Sequence, residues 1–221
     1  MKKPHPAFLT ALTLQVILLS SCFDLYAEIT LRKDGSGTAL LEYAMPGEFE
    51  ALGKQDGNSR WLPLPVGAAD FERTCARVEG LRLRSAETRA RGEDVVSRVR
   101  LDFDRLPALL AFLEGFSELS FSESGEGGTL IFSLSGDVGS TGAGAELVSL
   151  VEELSRNRSV ELKFNLPAQA GLLLLDGGGR AVVTPPGWTL SGGAPAHFRA
   201  PLGELLTREG DLNLELSWPA D

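Results

Sequence analysis

Few residues of this 221-residue chain are of the types that carry covalent or catalytic chemistry, since it has two cysteines and two histidines. The first cysteine, Cys22, follows an apolar run that ends in Leu19, Ser20 and Ser21. Serines are small enough to fit the groove of a processing protease, and the thiol after them is a group to which a lipid can be attached. The stretch therefore predicts cleavage of the chain and modification of Cys22.

The residues before Cys22 have the parts of a secretory signal peptide. Lys2 and Lys3 form a basic start, and residues 7–19 form a short apolar stretch that is interrupted by the polar residues Thr10, Thr13 and Gln15. A bilayer span needs about 20 apolar residues, so this stretch is short for one. An uncleaved membrane anchor is the alternative, but it gives no role to a cysteine in this position. We expect residues 1–21 to be removed and residues 22–221 to form one extracytoplasmic domain.

The four residues Leu19-Ser20-Ser21-Cys22 resemble the lipobox of bacterial lipoproteins. The resemblance implies that Cys22 receives a diacylglyceryl thioether, becomes the mature N-terminus and is N-acylated, for example with palmitate. Each buried CH₂ contributes about 0.8 kcal/mol, and two or more acyl chains anchor a protein stably. The resemblance thus implies a protein anchored to the cell membrane, inner or outer, that does not span it.

Charge and cysteine content limit the partners of the mature chain. Removal of residues 1–21 takes away two of the 21 Lys and Arg residues and none of the 30 Asp and Glu residues, so the formal charge falls from −9 to −11. Such an acidic protein is a poor general binder of nucleic acid. Once Cys22 is acylated, Cys75 has no intramolecular disulfide partner, and the fold must be stabilised by its core.

The sequence offers little support for catalysis, and we expect no enzymatic activity, cofactor or metal. The mature chain has one histidine, His197, and one histidine with one cysteine cannot form a typical zinc site. Neither a G-x-S-x-G elbow nor a G-x-x-x-x-G-K loop is present. Asp102 and Asp104 could contact a cation, but a helix-capping role at a strand-to-helix junction is favoured.

Alternating apolar residues predict an α+β fold. Strand, strand and helix follow one another three times, and one more strand comes next, with helices predicted over 68–78, 106–113 and 145–154. Such repeated strand-strand-helix units favour a mostly antiparallel sheet with helices packed on one face. The part from about residue 171 is β-rich, and we expect its last strand to close or extend the same sheet.

Basic residues are concentrated in one segment of the acidic chain. From Arg73 to Arg105 there are nine arginines and six acids. The alternation predicts that four arginines share one face of a hairpin, namely Arg82, Arg84, Arg98 and Arg100. Because arginine forms bidentate contacts with phosphate and carboxylate, they are a candidate patch for an anionic ligand or a lipid headgroup. The alternative is a solvated strand face balanced by neighbouring acids, as charged faces usually are.

Over residues 22 to about 190 the chain is similar to the LppM-like envelope lipoproteins of mycobacteria and other bacteria. The resemblance rests on order and pattern in four stretches: CFDLYAEITLRKDGSGTALLEYAMP, FERTCARVEGLRLRSAETRARGEDVVSRVRLDFDRLPAL, LSFSESGEGGTLIFSLSGD and SVELKFNLPA. It implies an α+β extracytoplasmic domain without catalysis and with a role in binding lipid or glycolipid. The chain departs from the mycobacterial members in lacking their C-terminal membrane helix.

Two hypotheses follow for the function. The first is a lipid-anchored envelope protein that binds a lipid, glycolipid or other amphiphile between its sheet and helices, or docks on a membrane through the arginine hairpin. The second is a structural or protein-interaction module of an envelope complex, with a solid core and no small-molecule ligand. Its loops, at 46–67 and 184–198, would then contact an envelope protein.

Overall fold

The computed structural model describes most of the predicted mature domain. The described residues are 24–46, 65, 67–113, 119–124, 127–134, 149, 152–153, 155–208 and 210–219. The predicted signal peptide, Cys22, nearly all of the 46–67 loop and most of the predicted helix over 145–154 lie outside the described residues. These predictions therefore stay predictions.

Eleven strands and three helices have both of their ends within the described residues. The strands are β1 Asp24–Leu31, β2 Gly37–Pro46, β3 Leu81–Arg91, β4 Asp94–Phe103, β5 Leu119–Ser124, β6 Gly127–Ser133, β7 Ser159–Asn165, β8 Gly171–Asp176, β9 Thr189–Ser191, β10 Ala196–Pro201 and β11 Leu212–Pro219. The helices are α1 Ala68–Cys75, α2 Leu106–Leu113 and α3 Leu202–Thr207.

Seven strands form a large sheet, called sheet A, in the order β3-β4-β2-β1-β7-β10-β9. All neighbours pair antiparallel except β1 and β7, which are parallel. Strand β1 therefore lies at the centre, and its first residue, Asp24, accepts hydrogen bonds from the backbone N–H of Ser159 at 2.9 Å and from its hydroxyl at 3.3 Å. The start of the described chain is thus tied to the middle of the sheet.

One face of sheet A is apolar and buried, because alternate residues of a strand point to the same side. Helices α1 and α2 cover it near β2 and β4, where the ring of Phe71 lies 6.3 Å from that of Tyr43 and 6.2 Å from that of Phe112. The hydroxyl of Tyr43 donates a hydrogen bond to the carbonyl of Pro65, and burial raises the pKa of this tyrosine. A buried aromatic side chain with its polar atom satisfied is stable in a core.

The other strands form a four-stranded sheet, called sheet B, in the order β5-β6-β11-β8. It packs on the same apolar face as the helices, with the ring of Phe132 5.5 Å from that of Phe164. The predicted α+β class, mostly antiparallel with helices on one face of a sheet, is confirmed. The expectation that the last strand extends the same sheet is wrong, because β11 pairs with β6 and β8 instead.

Gly37 tests how closely the core is packed where β2 begins. A methyl group at this position would lie 2.1 Å from the backbone oxygen of Thr30 and 2.3 Å from Cζ of Phe103. Backbone and a buried ring cannot move aside cheaply, so we expect Gly37→Ala to destabilise the protein by about 2 kcal/mol. Gly178→Ala, in an exposed turn where the methyl group meets only Asp176 at 3.3 Å, is the control. Urea unfolding followed by circular dichroism measures both, and equal midpoints would contradict the expectation.

Candidate functional site

The opposite face of sheet A, called the polar face, carries the side chains that can do chemistry. Two rows of cross-strand neighbours run over it. One is Arg98, Glu42, Tyr26, Glu161 and Arg199, and the other is Arg100, Leu40, Glu28, Lys163 and His197. Charges of opposite sign on adjacent strands attract each other, so the rows stabilise the sheet as well as line its surface.

Strands β3 and β4 form the predicted arginine hairpin, with a bulge between Leu83 and Ser85. Arg84 is the additional residue of the bulge, and its Nε donates to Oδ2 of Asp102 at 2.5 Å. Arg82 binds Asp104 through both terminal nitrogens, at 2.5 and 3.3 Å. The carboxylates that balance these two arginines lie at the end of β4.

Arg98 and Arg100 project from β4 onto the polar face. Nε of Arg98 is buried and lies 3.7 Å from Oε2 of Glu42, which is an ion pair too long for a hydrogen bond. Arg100 is exposed and forms no hydrogen bond or ion pair with the described part of the chain. The four arginines are therefore brought together, but three of them are already paired with carboxylates.

A groove of about 340 Å³ opens on the polar face beside Arg100. Its lining combines two arginines, two carboxylates, two hydroxyls and an apolar floor: Arg84, Arg100, Glu28, Asp102, Thr30, Thr38, Leu40 and the neighbouring Ala39 and Leu101. Its volume is in the range of small-ligand sites. Arg100 supplies unengaged guanidinium donors, which suit a phosphate or carboxylate.

A hydrogen-bonded network lies beside the groove on strands β1, β7 and β10. Oε1 of Glu161 lies 2.9 Å from Nζ of Lys163 and 3.1 Å from Nε2 of His197. The hydroxyl of Tyr26 donates to Glu28 at 2.8 Å, and the side-chain amide of Asn165 donates to the other oxygen of Glu28 at 2.9 Å. This network holds Glu28, and with it one wall of the groove, in a defined position.

The network shifts the pKa of its members. Burial raises the pKa of Tyr26, and the hydrogen bond to Glu28 raises it further. The hydrogen bond to Glu161 raises the pKa of Lys163. Burial pushes the pKa of Glu161 up, but the hydrogen bond and charge of Lys163, and then those of His197, outweigh it and hold the pKa below its usual range. At neutral pH the Lys163–Glu161 pair is therefore charged.

Cys75 lies on the buried face of α1, with 4% of its surface exposed. Burial raises the pKa of its thiol to about 11, so almost none of it is thiolate at neutral pH. In the described ranges, no group of three or more His, Cys, Asp or Glu side chains is placed to hold a metal ion. None of the helices in the described residues is long and apolar enough to cross a membrane.

No protein-family model matches the chain, and no curated protein matches it. The structure is similar to the NMR structure of the folded domain of the LppM protein of Mycobacterium tuberculosis, over 90% of this chain and 91% of that chain. The sequence identity is 13% and the TM-score is 0.45. This is a distant overall similarity, too low to transfer a function, so membership of the LppM-like family stays a prediction.

Sequence reasoning found the arginines but missed the network of Tyr26, Glu28, Glu161, Lys163 and His197. Each lies on the polar side of an alternating strand, which the sequence does show. Their proximity depends on the parallel pairing of β1 with β7 and the pairing of β7 with β10. Periodicity does not reveal which strands pair, so no local signal could have joined these residues.

The lowered pKa of Glu161 predicts a pH-dependent stability. A carboxyl group whose pKa is lower in the folded than in the unfolded protein stabilises the fold above its unfolded pKa, and this contribution is lost as the pH falls through its folded pKa. Glu161→Gln removes the contribution, so we expect a loss of about 1 kcal/mol at pH 7 and a smaller one at pH 3. Urea unfolding at both values measures this, with the exposed edge-strand variant Glu87→Gln as control. An equal loss at both pH values would contradict it.

Proposed function

We propose that this chain is a lipid-anchored bacterial envelope protein, attached to a membrane through Cys22, whose polar face binds the anionic headgroup of a lipid or glycolipid. The observation that supports the proposed anchor is the position of Asp24. This residue begins the central strand of sheet A two residues after the lipobox cysteine. A folded domain that starts directly after a modified cysteine needs no further segment to reach the bilayer.

The groove beside Arg100 supports the choice of ligand. Arg82, Arg84 and Arg98 each have a carboxylate partner, whereas Arg100 is exposed beside the hydroxyls of Thr30 and Thr38. A phosphate on Arg100 would leave neighbouring hydroxyl groups of a headgroup within reach of Glu28, Thr30 and Thr38. The groove thus combines the Arg100 guanidinium with the carboxylate of Glu28 and the threonine hydroxyls. Such a set of groups suits an anionic headgroup that also carries hydroxyl groups better than it suits a simple anion.

The packed interior favours headgroup binding on the surface over an amphiphile held between sheet and helices. Phe71, Leu109, Val99, Leu101 and Met45 have no exposed surface at the junction of sheet A with α1 and α2. Grooves open on the polar face, beside Arg100 and between Asp24 and Arg91, and beside Trp218 in sheet B. A bound lipid would therefore be held by its headgroup on the surface of the domain.

The solid core also favours the second candidate, a protein-interaction module. Interaction modules need a rigid scaffold and an exposed surface, and the polar face provides both. This candidate predicts crosslinks from the polar face or from the 46–67 and 184–198 segments to one envelope protein, and no bound lipid.

Lipid attachment is tested on the full chain expressed in a bacterial host. We expect the mature N-terminal peptide to begin at Cys22 and to carry the added mass of a diacylglyceryl group and one further acyl chain. Cys22→Ala should abolish the added mass and release the protein from the membrane fraction. Cys75→Ala, which changes the buried thiol, is the control and should leave both unchanged. An unmodified Cys22 in the membrane-bound protein would refute the anchor.

Headgroup binding is tested on residues 23–221, which lack the anchor. We expect Arg100→Ser to weaken binding to vesicles of phosphatidylcholine with an anionic lipid by about tenfold, because a charge-assisted contact is worth about 1.5 kcal/mol. Arg82→Ser removes an arginine already paired with Asp104 and should change binding less than twofold. The variant in which Arg82, Arg84, Arg98 and Arg100 are all changed to serine completes the series. Equal binding by the wild type, Arg100→Ser and this variant would rule out headgroup binding by these arginines.

Native mass spectrometry of the same fragment, produced in an envelope-containing host, separates the two candidates. A discrete added mass that organic extraction recovers as one lipid class favours lipid binding and names the ligand class. An unliganded mass favours the interaction module, and crosslinking in intact cells is then the measurement that identifies the partner.

A further inference from the structure

The start of β1 limits how the domain can stand on a membrane, and this inference rests on the proposed anchor at Cys22. Asp24, the first residue of the strand, comes two residues after Cys22, and two residues span at most about 7 Å. Because β1 is the central strand of sheet A, the end of the sheet that holds Asp24 must face the bilayer. The opposite end, with the β1–β2 turn at Asp34 and the residues before β3, points away.

The β3–β4 hairpin extends beyond the level of Asp24 at this end of sheet A, as β2 does up to Pro46. Asp24 is level with Ala44 of β2, which pairs with Val96 of β4, and Val96 pairs with Arg89 of β3. The hairpin continues beyond this level to the pair of Arg91 and Asp94 before it turns at Gly92 and Glu93. Two residues of strand add about 7 Å, which equals the longest reach from Asp24 to Cys22.

An ion pair holds the tip of the hairpin in this position. Arg158, directly before β7, donates to Oδ1 of Asp94 at 3.1 Å and lies 2.8 Å from its Oδ2. Both side chains are only about one-fifth exposed, and the pair bridges the ends of the two strands between β4 and β7. The tip is therefore fixed relative to the strand that carries the anchor.

The exposed charges of the tip suit phosphate groups. Asp94 is neutralised by Arg158, which leaves Arg89, Arg91 and Glu93 as the exposed charged side chains of the turn. Arg91 forms no hydrogen bond or ion pair with the rest of the described chain, and the contact of Arg89 with Glu42 is a long 3.7 Å. An arginine near an anionic membrane surface is attracted to the phosphate groups of its lipids.

We propose that the β3–β4 hairpin tip, residues 89–94, is a membrane-contact surface at which Arg89 and Arg91 bind phosphates of the phospholipids in the leaflet that holds the Cys22 lipid. The tip lies three strands from β1, about 14 Å to one side of the anchor. Anchor and tip together give two points of attachment, so the polar face is held at a fixed tilt to the surface.

The test places a fluorescent label at either end of sheet A in the full-length, lipidated protein. Glu93→Cys puts the label in the tip, and Glu79→Cys, an exposed acid just before β3, puts it at the far end, about 30 Å away along the strands. Acylated Cys22 and buried Cys75 do not react with the label. The protein is reconstituted in vesicles of phosphatidylcholine and phosphatidylglycerol that contain a lipid with a nitroxide quencher on its headgroup.

We expect quenching at position 93 to be at least twice that at position 79. Arg89→Glu with Arg91→Glu should reduce the quenching at position 93 at least twofold, whereas Arg82→Glu, near the far end, should leave it unchanged. Equal quenching at both positions in protein whose N-terminal peptide carries the lipid would overturn the contact and leave the anchor intact. An N-terminal peptide without lipid would overturn both, and the mass of that peptide distinguishes the two failures.

Discussion

The pairing of β1 on both of its edges is the interaction on which the rest of the structure depends. On one side it hydrogen-bonds antiparallel to β2, its neighbour in sequence, and on the other it runs parallel to β7, more than 120 residues further along the chain. Parallel strands need a long crossover connection, and the connection from β1 to β7 includes strands β2 to β6 and helices α1 and α2. Closing such a large loop is entropically costly, so this pairing must be stabilised by the apolar surface that it helps to bury.

The alternation of β1 gives each side of the strand a different role. Ala27, Ile29 and Leu31 are buried in the core, whereas Tyr26 and Glu28 belong to the polar face. A slip of one residue in register would exchange the two sets, so the core that stabilises the sheet also sets which side chains the surface presents. The proposed anchor adds a third role, because the residues before the strand would carry the lipid.

Charge pairing explains why a local excess of arginine does not by itself make a binding patch. Between Arg73 and Arg105 the arginines outnumber the acids, yet Arg82, Arg84 and Arg98 are engaged by Asp104, Asp102 and Glu42. Glu42 lies outside that segment and reaches it only because β2 and β4 are neighbours in the sheet. Arg100 differs because its neighbours across the strands, Leu40 and Ser85, are not carboxylates, and Arg91 differs because the carboxylate opposite it, Asp94, is bound by Arg158.

The sequence by itself determined the features that depend on neighbouring residues. Spacing over 68–78 and 106–113 marked α1 and α2, and the order of alternating and helical segments predicted the α+β class. The end of strand β3 has no local signal, because an edge strand exposed over most of its length has no apolar alternation to mark where it ends. Only the tertiary structure decided that β11 joins sheet B, that β1 and β7 are parallel, and which arginines have partners. These outcomes depend on contacts between residues far apart in sequence, whose free energies arise from strand pairing and shared burial and leave no local pattern.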